Sequence, residues 1–163
     1  MKTQAKLLIL SKALLLVGLS CLTSAQVFAA VPNFTATFSP DTIGPGSVST
    51  LTYTIDNSAQ STTASGLTFS NTLPANVTLA TPLNAFTDCS DGALNAVDGG
   101  SVVSMSNYRL GAGQSCTLTL NVTSSTVGTH TNTTGSLSTS AGDAGTATDD
   151  LIEIAHKGQI VIE

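Results

Sequence analysis

The chain has 163 residues, of which 41% are hydrophobic, 4% aromatic and 9% charged, with a formal charge of −5. That length suits one domain with an adequate core. The acidic balance excludes nucleic acid as a partner, because no basic patch is present to replace phosphate counterions.

In chain order, Lys2 and Lys6 precede an apolar run from Leu7 to Leu22, broken only by Ser11, Lys12, Gly18, Ser20 and Cys21. Val27-Phe28-Ala29 follows as a small-residue cleavage motif, which predicts a signal peptide over 1–29 cut between Ala29 and Ala30. Lys12 leaves about ten apolar-rich residues, short of the roughly 20 that span a membrane, so no membrane span is expected in the mature chain. Lipoprotein processing at Cys21 would want a large aliphatic where Gly18 stands. From Ala30 onward only Arg109 and Lys157 are basic against all ten carboxylates, a formal charge of −8. Anionic membrane surfaces are poor partners for such a chain.

Residues 30–157 are read as one β-domain, because no window sustains a 3.6-residue period while period-two alternation recurs. Phe34, Ala36 and Phe38 form the inward face of a first strand that stops at Ser39-Pro40. Pro45-Gly46 fits a type II turn. Leu51, Tyr53 and Ile55 then line a second strand, Leu67 and Phe69 a third, and Val77 and Leu79 a short fourth. Pro82 to Gly100 reads as loop with one short strand. Ser101 to Tyr108 is a strand whose phase is open, with either Val103 and Met105 or Val102 inward.

The clearest strand is Leu110 to Thr123, where Cys116, Leu118, Leu120 and Val122 alternate with polar residues after a Gly-rich turn. A cysteine in register with apolar side chains, and one upstream counterpart at Cys89, predict a buried disulfide that clamps two facing layers. Export favours the bridge over two free thiols. Gly128 to Ser140 is a Thr-rich strand or hairpin centred on Leu137, and Thr146 to Ile154 a closing strand led by Leu151 or by Ile152 and Ile154. Residues 158–163, GQIVIE, are a short β-prone tail. It completes this domain's own sheet or pairs with another molecule, or the chain is the start of a longer array. Together these elements predict an all-β antiparallel sandwich with Thr-rich solvated faces.

Five stretches, taken in order, resemble the DUF11-like conserved repeat modules of bacterial secreted and surface proteins. They are Phe38-Ser-Pro-Asp-Thr-Ile-Gly-Pro-Gly46, Leu51-Thr-Tyr-Thr-Ile-Asp-Asn57, Leu67-Thr-Phe-Ser-Asn-Thr-Leu-Pro74, Leu110 to Val122 and Gly128-Thr-His-Thr-Asn132. The resemblance covers roughly Phe34 to Ile154. It implies an immunoglobulin-like sandwich of bacterial origin, used as an extracellular building block, with no established catalytic residues to carry over. The family's tandem arrays and anchoring devices are not matched, since one copy is seen here without a sorting motif.

Reactive groups are sparse. Nucleophilic catalysis needs a base beside a Ser or Cys, and only His130, expected at the surface or half-buried, and His156 could serve. No nucleophile-elbow motif accompanies either, so no enzyme is expected. Asp88, Asp91 and Asp98 in one loop, and Asp149, Asp150 and Glu153 in another, are oxygen-rich and are the weak Ca²⁺ candidates, although neither group follows EF-hand spacing. Zinc lacks its His and thiolate clusters. Lys157, the sole lysine after the leader, is too near the tail for an intramolecular isopeptide bond in the core. The sequons at Asn33, Asn76, Asn121 and Asn132 are read as chance matches.

The expected protein is therefore a non-enzymatic, exported structural or adhesive module without a cofactor, placed extracellularly, at the cell surface or in the periplasm. Its partners would be other surface proteins or glycans. The alternative is a soluble module that binds carbohydrate, or a ligand through Ca²⁺, with its acidic loops.

Overall fold

Alternating apolar and hydroxyl side chains give most of this chain a half-buried strand as its natural state, and every regular element among the described residues is a β-strand. The computed structural model describes residues 30–155. The expected leader, including Ala29 of the cleavage site, and the tail with His156 and Lys157 lie outside them. The strands are β1 (Asn33–Ser39), β2 (Thr42–Ile43), β3 (Val48–Asp56), β4 (Ala64–Thr72), β5 (Val77–Leu79), β6 (Phe86–Thr87) and β7 (Ala93–Asn95). They continue with β8 (Val102–Leu110), β9 (Ser115–Ser124), β10 (Gly128–Thr133), β11 (Ser138–Thr139), β12 (Gly142–Asp143) and β13 (Thr148–Glu153). No helix among these residues is long and apolar enough to cross a membrane.

Two layers face each other in an immunoglobulin-like sandwich. The first has the order β1-β3-β9, with β5 and β6 both paired to the far side of β9. The second contains β7-β8-β4-β11-β12 and, continuing from it, β10-β13-β2. Residues 128–140 join its two parts by running along β4: Gly135 N donates to Ser70 O at 2.8 Å and Ser140 N to Ser65 O at 2.8 Å. The expected Thr-rich strand is thus one interrupted strand, β10 and β11. Leu137 is buried within its break.

The core follows the alternation. Phe34, Ala36 and Phe38 from β1, Leu51, Tyr53 and Ile55 from β3, and Cys116, Leu118, Leu120 and Val122 from β9 are all buried. Phe69 of β4 packs between Phe34 and Tyr53, with ring centroids 5.0 and 4.9 Å away, and so joins the layers through aromatic contact. Gly46 at φ 70°, with Ser47 N bonded to Gly44 O, forms the expected type II turn.

Strand β8 owes its open phase to a bulge. Met105 pairs with Phe69 and Tyr108 with Leu67, so two residues on β8, Ser106 and Asn107, oppose one on β4, Thr68. Val103 and Met105 point inward before the bulge and Tyr108 and Leu110 after it, while Val102 is exposed. In β13 Leu151 is inward, with Ile152 and Ile154 outside.

Both flanks of the sandwich are closed by a stretch of chain that changes layers. On one side β1 belongs to the first layer, and after Ser39-Pro40 the chain becomes β2, which pairs in parallel with β13 of the second. On the other, β6 pairs with β9 of the first layer, and the same run continues through the Ser90–Arg109 bridge into β7, paired with β8 of the second. Pro82 to Gly100 is mostly loop, as expected, but it carries two short strands, β6 and β7, where one was expected. The mixed residue order hid the strand because its neighbours change halfway, so no single face is buried along its length.

Candidate functional site

The disulfide sits where that second run changes layers. Thr87 pairs with Leu118 and Asp88 N bonds to Thr117 O, so the next residue, Cys89, falls opposite Cys116 on the neighbouring strand. The two are joined, with Cα atoms 5.0 Å apart. Cys116 is buried and Cys89 half-buried. The bridge therefore pins the crossing strand to its neighbour β9 at a flank, which corrects the expected clamp between two facing layers. Asp88 reinforces it, its Oδ1 accepting from Thr117 N at 2.5 Å and from Thr117 Oγ1 at 3.3 Å.

Each end of the sandwich carries a concavity. At the end where β9 finishes and β10 begins, a groove of about 470 Å³ is lined by Gly46, Asn76, Thr78 and Thr123 to Thr126. Its walls are hydroxyls, one amide and backbone, with no charged side chain. At the other end, beyond the disulfide, a hollow of about 260 Å³ lies among Thr63, Ser90, Asp91, Arg109, Gly111 and Gln114.

The first groove borders the one Ser–His pair that sequence reasoning did not bring together. His130 is buried, against the expected surface or half-buried place, and its Nε2 lies 2.7 Å from the Thr126 carbonyl oxygen and 3.3 Å from Ser124 Oγ. A carbonyl only accepts, so Nε2 carries the proton and donates it to Thr126. A nitrogen that already bears a proton cannot take the one on Ser124. The pair holds the β9–β10 turn; it is not arranged as nucleophile and base.

The acidic residues do not converge. Asp98 Oδ1 accepts from Leu83 N at 3.0 Å and Asp149 Oδ2 from Phe38 N at 2.7 Å, so both serve the backbone, as Asp88 does. Asp91 and Asp150 are exposed and Glu153 is buried. Among the described residues the one close group of potential ligands is Asp88 with Cys89 and Cys116, whose sulfurs are joined to each other.

A buried polar cluster was also missed. Asn71 Nδ2 donates to Tyr53 Oη at 2.7 Å and to Asn132 Oδ1 at 2.9 Å, tying β3 of one layer to β4 and β10 of the other. Burial holds the Tyr53 hydroxyl well above the ordinary tyrosine range, and the bond to Asn71 offsets this only in part. Strand parity was the available signal: Asn71 shares a face with Leu67 and Phe69, and Glu153 with Leu151.

The family described as a domain of unknown function, DUF7933, matches residues 32–152. The matched family is thus DUF7933, where the sequence led to the expectation of a DUF11-like module. No curated protein matches the chain. Solved structures similar to it include two β-domain proteins. One is the cohesin module of a Clostridium perfringens family 33 glycoside hydrolase, at 13% identity and a TM-score of 0.46, covering 77% of this chain and 98% of that one. The other is BslA, described as a bacterial hydrophobin, at 19% identity and a TM-score of 0.48, covering 78% and 98%.

Proposed function

We propose that this chain, which belongs to the DUF7933 family, is an exported, non-enzymatic module with a structural or adhesive role at a bacterial surface. The observation that carries the reading is the doubly closed sandwich, with a disulfide at one of its two layer changes. A domain with covered sheet edges resists unplanned strand pairing, and its disulfide suits an oxidising compartment. The protonated Nε2 of His130 supports a non-catalytic role, and the DUF11-like resemblance supports use as a building block. In the same reading the leader is removed between Ala29 and Ala30, leaving the β-domain over 30–157 and the tail over 158–163.

Fractionation of producing cells, with thiols trapped by an alkylating reagent at lysis, tests the proposal. The expected result is a chain outside the cytoplasmic membrane that starts at Ala30 by N-terminal sequencing, with Cys89 and Cys116 unalkylated. A cytosolic chain with both thiols alkylated overturns it.

A further inference from the structure

Exposed apolar side chains gather at one end of this sandwich. Of the seven large hydrophobic residues that are exposed among the described residues, Val48 opens β3, Val102 opens β8, Val127 precedes β10, Ile154 follows β13, and Val97 lies in the turn bonded to Gly100 beside Leu79. The strand registers place these five at the end bearing the hydroxyl-lined groove. The opposite end has none of the seven. Beneath this end sits Glu153, 1% exposed and opposite Gly128 in the ladder, with neither carboxylate oxygen hydrogen-bonded among the described residues. A buried carboxylate without a partner is costly and calls for a counter-charge.

The chain passes out of the described residues at this same end, directly after Ile154 and Ala155. The next residues are His156, Lys157 and Gly158-Gln-Ile-Val-Ile-Glu163, among them the only lysine after Ala30 and three consecutive branched apolar side chains. Eight residues reach at most about 26 Å, ample to cross two layers set about 10 Å apart.

We propose that residues 156–163 cover this end of their own domain, with Ile160 and Ile162 against Val127 and Val48 and the Lys157 ammonium as counter-charge to Glu153. The surface is then an internal docking site, and releasing the segment exposes an apolar patch beside a hydroxyl-lined groove. A second copy of the chain and a foreign protein are the competing occupants.

The test is the full chain carrying Val127→Cys and Ile160→Cys, oxidised mildly at several protein concentrations, with the bridges mapped by mass spectrometry. An intrachain bridge between positions 127 and 160 in the monomer, at a yield independent of concentration, is expected. A control carrying Thr63→Cys and Ile160→Cys, with its thiols at opposite ends, should not link. Bridged dimers at the 127 and 160 positions assign the surface to a second copy and overturn the proposal, and so does the absence of any bridge between them. The counter-charge is read separately: Lys157→Gln should lower the midpoint of thermal unfolding in the native background and leave it unmoved in Glu153→Gln. An equal fall in both backgrounds removes the ion pair from the proposal.

Discussion

The two flanks solve one problem in different ways. On the first, the strand that changes layers brings its own packing: Phe34, Ala36, Phe38 and Ile43 are buried along β1 and β2. Polar contacts then fix the path, with Ser49 Oγ donating to the Pro40 carbonyl at 2.6 Å and Ile152 N to Asp41 O at 2.8 Å. On the second, Phe86 is 61% exposed, Leu94 only half-buried, and little apolar surface holds β6 and β7 down. There the covalent bond between Cys89 and Cys116 takes the place of packing. A crossing strand alternates faces relative to each sheet in turn, so it buries a continuous apolar row only when its residues suit both layers; where they do not, a cross-link fixes it.

The comparison can be broken by substitutions, in falling order of expected effect. Phe38→Ala, which empties the packed flank, should lower stability by about 4 kcal/mol in denaturant titration. It should leave the protection of residues 86–95 in hydrogen exchange no lower than that of the rest of the domain. The paired change Cys89→Ser with Cys116→Ser should cost about 3.6 kcal/mol, from loop-closure entropy over the intervening chain. Its exchange protection should fall first along β6 and β7, and a uniform loss across both flanks would contradict the division drawn above. Gly92→Ala probes the same flank without touching sulfur: an added methyl presses on the Tyr108 ring and stands 2.8 Å from the Ser106 carbonyl oxygen. It should cost about 2 kcal/mol by overpacking.

Tyr53→Phe acts on the core common to both flanks and should cost about 1 kcal/mol through the lost bond to Asn71. It carries a pH signature as well. Because burial raises the folded-state value of this hydroxyl, the unfolded chain loses its proton first, and stability falls as pH rises past about 10. Denaturation followed from pH 8 upward should show that decline, and Tyr53→Phe should flatten it. The smallest effect belongs to Phe86→Ser, within about 0.5 kcal/mol, as fits a mostly exposed ring. A loss of several times that would mean the disulfide flank depends on packing after all.

Period-two alternation by itself determined the fold class, the inward faces of β1, β3 and β9, and the cysteine that would be buried, since a strand with one solvated face must sort its side chains by polarity. Cys89 was identifiable as its partner because it is the only other cysteine from Ala30 onward. Tertiary structure alone decided where the bridge acts, because the place at which a strand exchanges one sheet for another leaves no mark in local periodicity. It also decided which polar residues enter the core. Asn71 and Glu153 share a strand face with Leu67, Phe69 and Leu151, so parity marks their side, but only the opposite layer decides that this side is covered where they stand, and His130 is enclosed where β9 and β10 meet. Burial of a polar group is set by what the opposite layer presents to it, and that is not written within any one strand.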